Sequence, residues 1–191
     1  MRSPKRREQV YRIFEVSWGW AAAARGHGGL CAFVLPMASR EEAETDIHTR
    51  APSFEPSKSA LRDIVTAVRR YFQGWRSDFG DIRLDLSAGT AFQRKVWSIV
   101  RRIPYGEVRT YRWISLEIGR PRAARAIGGA VGANPIPLIV PCHRIVNADG
   151  TLGGFSAPGG VELKRRMLKL ERAPMSGEGA RTRILAGLAS Q

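Results

Sequence analysis

Of the two cysteines in this 191-residue chain, Cys142 stands beside groups that could make it react: it lies in Pro141-Cys142-His143-Arg144. A thiol attacks carbon as its thiolate, which neighbouring cations favour. It also needs a base, and the base needs a group to orient it. His143 is the candidate base, and two carboxylates on the last expected helix, about Val161 to Leu170, compete to orient it. Glu162 stands at the start of that helix, where the macrodipole favours an anion and so accounts for it. Glu171 stands at the end, where the dipole opposes it, so its placement calls for another reason. A cysteine hydrolase built on Cys142 and His143 would put nucleophile and base on adjacent residues, whose side chains usually point apart. The remaining candidates, Cys31, His27 and His48, form no recognisable metal-ligand set, and no metal is expected.

Lys and Arg number 31 against 17 Asp and Glu, a formal charge of +14, and 43% of the residues are hydrophobic. Such an excess suggests a polyanionic partner, with a merely solvated basic face as the alternative. Two cysteines so far apart give no disulfide framework, and a reducing compartment fits. The charged start, Met1 to Arg7, leads into no uninterrupted apolar run, and no stretch has the length to span a bilayer. The chain is therefore expected to be intracellular: cytoplasmic, or nuclear in a eukaryote.

The elements that must position Cys142 fall into two halves and a tail. Residues 1–88 read as a mixed α/β domain. Two apolar runs, Tyr11 to Ala24 and Leu30 to Leu35, are joined by a glycine-rich loop as a β-hairpin. Ser39 opens a helix with capping-box spacing, Leu61 to Phe72 recur at helical intervals, and Asp81 to Ser87 alternates as a short strand. Residues 89–172 read as a mainly helical domain, and 173–191 as a basic tail. Thr90 caps a helix ended by Pro104-Tyr105-Gly106, and Ile136 to Ile145 is an apolar run expected to be buried, extended and ended by a reactive turn.

Between these lie two short helices, about Tyr111 to Ile118 and Arg122 to Gly132, separated by Gly119-Arg120-Pro121. That is the helix-turn-helix pattern, which ordinary α-hairpins share. Nine Arg and Lys from Arg94 to Arg125 surround it, against Glu107 and Glu117. The second helix is almost wholly small, although each internal glycine costs roughly 1 kcal/mol relative to alanine. Close packing against another helix would explain a thin helix, and so would close approach to a DNA groove, with Arg125 as its one long side chain.

The run Asn134 to Arg144 resembles the active-site signature of the O6-alkylguanine-DNA alkyltransferases. Gly106-Glu107-Val108-Arg109-Thr110-Tyr111 and Ala123 to Ala130 resemble further segments of that family, in the same order, and the similarity covers about Phe92 to Glu171. The resemblance implies an α/β (α+β) protein with a helix-turn-helix of winged-helix type. It implies direct transfer of an alkyl group from O6-alkylguanine, and also O4-alkylthymine, in double-stranded DNA to Cys142. The protein would act once, as a monomer, without metal or redox cofactor.

On that resemblance His143 takes the proton of Cys142 through a water molecule, and Glu171, which ends a segment similar to the family's, is chosen over Glu162 as its partner. Asn134 holds the active-site turn, and Tyr111 hydrogen-bonds the flipped guanine. Arg125 fills the gap left in the duplex, Ser156 contacts the guanine oxygen, and the carbonyls of Cys142 and Ile145 receive the base's amino group. Arg122, Ala124, Gly128 and Arg144 complete the expected substrate- and DNA-contacting set. Arg172 and Phe155 depart from the family pattern, where glycine and, in some relatives, tyrosine stand. The rival reading is a non-catalytic helix-turn-helix protein that binds alkylated DNA or regulates transcription; family members that only bind lack the acceptor cysteine.

Overall fold

The computed structural model describes residues 9–174. The expected basic start and nearly all of the tail lie outside them. Contacts divide the chain into two compact units, Met1–Ala88 and Gly89–Gln191.

In the first unit, β1 (Val10–Val16), β2 (Gly19–Gly26) and β3 (Gly29–Met37) pair antiparallel, and β4 (Glu55–Pro56) joins β1 in parallel, giving the order β3-β2-β1-β4. Helix α1 (Arg40–Arg50) packs on β2 and β3, and α2 (Arg62–Phe72) on β1. Ala22 and Ala24 meet Ile47 and Ala51 on one face of β2, while Ala21 and Ala23 point to the other, and all four alanines are buried. A strand covered on both faces reads as an unbroken apolar run.

That run hid a turn. The expected single hairpin is three strands, because Tyr11 to Ala24 folds back at Ser17-Trp18. Gly19 permits it: its φ is +122°, and a Cβ there would sit 2.2 Å from the Met37 carbonyl oxygen. The strand expected over Asp81 to Ser87 is also absent. Only an isolated bridge forms, with Leu30 donating to the Arg83 carbonyl and accepting from Asp85 N. The Asp85 carboxylate then takes the Ser87 amide at 3.0 Å and turns the chain away.

The second unit is mainly helical. Helix α3 (Ala91–Arg101) starts from a Thr90 capping box and packs against α4 (Tyr111–Glu117) and α5 (Ala124–Gly132). Strands β5 (Arg109–Thr110) and β6 (Ile145–Val146) pair in parallel, and α6 (Gly160–Leu170) lies against a 3₁₀ turn at Cys142–Arg144. The pair α4–α5 is the helix-turn-helix, with Gly119 at φ +69° in its turn. Lys95 of α3 donates to the Ile118 carbonyl at the end of α4, which ties the motif to its support.

The segment Ile136 to Ile145 is buried but not extended. It folds back at Pro137 to Val140, with Leu138 at φ +75°, before the 3₁₀ turn. Apolar continuity reports burial; it does not report backbone direction.

Candidate active site

Asn134, directly after α5, makes this fold-back specific. Its Nδ2 donates to the Val140 carbonyl at 2.8 Å, and its Oδ1 accepts from Ile136 N at 3.0 Å, both buried. The loop closed in this way delivers Cys142 to the first position of the 3₁₀ turn. There it lines a cavity of about 350 Å³ with Tyr111, Gly128, Val131, Gly132, Gly154, Phe155 and Ser156. That volume lies at the small end for ligand pockets (about 300–1,000 Å³). Ser156 closes one side by donating to the Gly132 carbonyl at 3.0 Å.

Behind Cys142, His143 is fully buried, with Nε2 2.7 Å from Glu171 Oε1. Its Nδ1 is buried with no hydrogen-bond partner among the described residues. Of the two carboxylates weighed from the sequence, Glu162 lies on the surface paired with Arg165, and Glu171 meets the histidine. Helix termination explains how Glu171 is held. Arg172 N bonds to the Lys169 carbonyl and Ala173 N to the Leu168 carbonyl, a Schellman motif with Glu171 as C-cap, and Leu168 and Ala173 share a hydrophobic cluster. Arg172 takes φ +54° to complete it, a conformation that glycine would adopt without strain.

Arg144 does not face a ligand or DNA. Its guanidinium is buried and spent on Glu171, Nε to Oε2 at 2.9 Å and Nη2 to Oε1 at 3.0 Å, and on the Ile103 carbonyl at 2.7 Å. The DNA-contact expectation for Arg144 is therefore corrected: a side chain at a 3₁₀ turn packed on α6 points inward. With its charge matched by Glu171, Arg144 also does not serve Cys142 as the expected thiolate-favouring cation.

Lys164, which the sequence reading passed over, does. Its ammonium is fully buried and donates to the carbonyls of Ile145 and Leu152. Burial pulls its pKa down to about 8, against the opposing pull of Cys142. A lysine on the apolar stripe Leu163, Met167, Leu168 was the available signal. One lone-pair direction of the Ile145 carbonyl is thus already engaged by Lys164.

Burial dominates the protonation states. It pushes the Cys142 thiol up, partly offset by the Asn134 hydrogen bond and the Lys164 charge. It pushes His143 down, against the upward pull of Glu171. Burial would raise the Glu171 carboxyl, but His143 and Arg144 hold it well below the usual carboxylate range. Burial and Cys142 keep the Tyr111 hydroxyl protonated and able to donate. At rest burial thus favours a neutral thiol and a neutral imidazole, while Glu171 is held as a carboxylate.

Above the cavity, α5 turns Ile127, Ala130 and Val131 inward and leaves Ala124, Arg125, Ala126 and Gly129 exposed, with Arg122 exposed just before it. Trp97 pins its inner side by donating to the Ala130 carbonyl at 2.7 Å. A Cβ at Gly128 or Gly129 would meet nothing within 4 Å. Internal packing therefore does not demand these two glycines. Between residues 89 and 174 there are 15 Lys and Arg against five Asp and Glu, while residues 9–88 carry ten of each. The basic excess belongs to the unit that carries the cavity. Among the described residues no group of His, Cys, Asp and Glu could hold a metal ion, and no helix is long and apolar enough to cross a membrane.

Residues 91–173 match the family described as 6-O-methylguanine DNA methyltransferase, DNA binding domain. The chain is 50% identical over 119 residues to a Haemophilus influenzae methylated-DNA–protein-cysteine methyltransferase, covering 62% of this chain and 65% of that relative's length. It is 42% identical over 146 residues to a protein of the same description from Mycolicibacterium paratuberculosis, covering 73% of this chain and 86% of the relative. The fold is similar to that of a Mycobacterium tuberculosis OGT crystallised in complex with DNA, with a TM-score of 0.72 and 39% identity over 86% of this chain and 95% of that one.

Proposed function

The chain belongs to the methylated-DNA–protein-cysteine methyltransferase family, and from that footing we propose that it repairs O6-alkylguanine in duplex DNA by moving the alkyl group irreversibly onto Cys142. The observation that carries this reading is the position of Cys142: a nucleophile lining a base-sized cavity beneath an exposed, thin, arginine-bearing helix. A module that only bound the lesion would have no use for a thiol there.

In this reading α5 enters the minor groove, where a helix of small residues lets its backbone approach. Arg125 fills the space of the extruded nucleotide, offsetting an unstacking cost of a few kcal/mol. Arg122, Ala124 and Gly128 flank it against the DNA. The base enters the cavity between Tyr111 and Ser156, with its amino group on the carbonyls of Cys142 and Ile145.

His143 Nδ1 takes the thiol proton through a water molecule, and Glu171 steadies the imidazolium that forms. The sulfur then attacks the alkyl carbon, a C–S bond forms, and the C–O6 electron pair leaves with the guanine, whose developing charge Tyr111 relieves by hydrogen bonding. Lys164 supplies the cation that matches the transient thiolate. The product is a thioether that no group in the cavity cleaves, so each chain acts once. O4-alkylthymine offers the same kind of alkyl–oxygen bond and is the second expected substrate. The protein works as a monomer, inside the cell.

Single-turnover assay with a duplex carrying a labelled O6-methyl group tests this. Label should accumulate on protein to one methyl per chain and stop. Release of methanol, or continued turnover, would contradict it.

A further inference from the structure

His143 and Arg144 are adjacent in sequence, yet both side chains reach the same carboxylate. Glu171 Oε1 receives His143 Nε2 at 2.7 Å and Arg144 Nη2 at 3.0 Å; Oε2 receives Arg144 Nε at 2.9 Å and Gly106 N at 3.1 Å. Two donors on each oxygen account for the lone pairs a carboxylate offers. The guanidinium is itself fixed, by the Ile103 carbonyl and by lying 5.8 Å from the centre of the Tyr105 ring, whose hydroxyl donates to the Leu170 carbonyl.

We infer that Arg144 is a positioning residue for the reaction: it holds Glu171 as a fixed anion so that the proton of His143 stays on Nε2 and the lone pair stays on Nδ1, on the side that must serve Cys142. The inference rests on the alkyl-transfer reading and assigns Arg144 a part in it.

A neutral imidazole presents one donor and one acceptor, and an anionic acceptor at Nε2 fixes which is which. A protonated Glu171 could donate instead, and the ring would then carry its proton on Nδ1, where it could not act as base. Unlike His143, Arg144 is a partner of Glu171 whose charge does not titrate. A bidentate guanidinium in a dry site is therefore a permanent bias toward the anion.

The charges around the histidine point the same way. The charged groups acting on the histidine and its carboxylate are Arg144 from the 3₁₀ turn and Lys164 from α6; Lys164 also acts on Cys142, Tyr111 lies beyond Cys142, and the Tyr105 ring, from the loop before β5, lies against the guanidinium. Arg144 and Glu171 cancel, so among these groups Lys164 carries the net charge at rest, and proton transfer then adds a thiolate and an imidazolium together. Without Arg144, Lys164 would be the counter-charge of Glu171 at rest, and the groups around Cys142 would carry no net cation to favour the thiolate.

The Arg144 and Gly106 bonds fix the plane of the carboxylate, so the histidine ring is held by an acceptor that cannot rotate away. The acidic side of the reaction's pH profile should then be governed by Glu171 staying ionised.

Nitrogen-15 NMR of the imidazoles in the full chain tests the claim without reference to activity: His143 should be the Nε2–H tautomer in the wild-type protein at neutral pH. An Nδ1–H tautomer overturns the inference. If the tautomer is Nε2–H but duplex O6-methylguanine is never demethylated, the proposed function fails independently.

In Arg144→Gln, Glu171 should protonate closer to neutrality. Transfer should fall about ten-fold or more near pH 6, recover toward the wild-type rate as pH rises, and be accompanied by Nδ1–H signal. Arg144→Lys, which keeps the charge, should restore much of the acid limb. A rate lowered by the same factor at every pH, with the Nε2–H tautomer retained, shows a merely structural arginine and overturns the inference. Should Arg144→Gln not fold, the wild-type tautomer and the acid limb of Arg144→Lys decide it on the same terms.

Discussion

Lys164 of α6 and Glu171, the C-cap of that helix, stand seven residues apart, two helical turns along one buried face, and bring a cation to the carbonyls of Ile145 and Leu152 and an anion to His143. One helix thereby serves both halves of the proposed proton transfer: the charge that the thiolate needs and the orientation that its base needs.

Lys164→Met should slow transfer about ten-fold near neutral pH, since one charge beside a buried thiolate shifts its formation by about a pKa unit or more. The sign of the pH dependence follows from the depressed ammonium, which is charged below about 8 and neutral above it. The ratio of wild-type to variant rates should be largest below pH 8 and shrink toward one above it. A ratio that does not change with pH would remove Lys164 from the chemistry.

Acid should destabilise the second unit in two stages. His143 is kept neutral by burial, so as pH falls below its ordinary value of 6.5 the unfolded chain takes a proton that the folded chain refuses, and stability drops. Glu171 is depressed in the fold, so its contribution is complete above its ordinary value of 4.5 and is lost as pH falls further toward the folded value. Glu171→Gln should cost about 3–5 kcal/mol at neutral pH and flatten the lower stage. Urea midpoints measured across pH check both stages; an unchanged acid slope in the variant would contradict the assignment.

Gly129→Ala should separate stability from function. The added methyl meets open space within the protein, so the helix should gain about 1 kcal/mol in thermal or urea denaturation. If that face lies against DNA, affinity for duplex should fall in the same variant. Higher stability with unchanged DNA affinity would mean that the thin face of α5 does not enter the groove.

Arg125→Ala should slow repair of O6-methylguanine in duplex by about ten-fold or more while leaving transfer from the free modified base nearly unchanged, because only the duplex requires a base to be extruded. Equal losses on both substrates would make Arg125 a structural residue.

Local signals made much of this protein legible. Ser39 and Thr90 announce α1 and α3 because a capping box is a contact between residues three apart, and the Gly119-Arg120-Pro121 break separates α4 from α5 for the same local reason. What escaped was set by contacts distant in sequence. The Ser17-Trp18 turn is made possible by the approach of Gly19 to Met37, and the fold-back at Leu138 by Asn134. Arg144 reads as a DNA contact while it is only a cation beside Cys142, and becomes an internal partner once α6 carries Glu171 to it, 27 residues away. Lys164 was visible as a charge on an apolar stripe, but its acceptors lie 19 and 12 residues off.

The central claim, that Cys142 is the acceptor, is tested most directly by peptide mass analysis after incubation with a duplex bearing one O6-methylguanine. The account predicts one added methyl group on the peptide containing Cys142, none on the peptide containing Cys31, and none anywhere in Cys142→Ala. No mass gain on wild-type protein, or a methyl group that persists in Cys142→Ala, would contradict it.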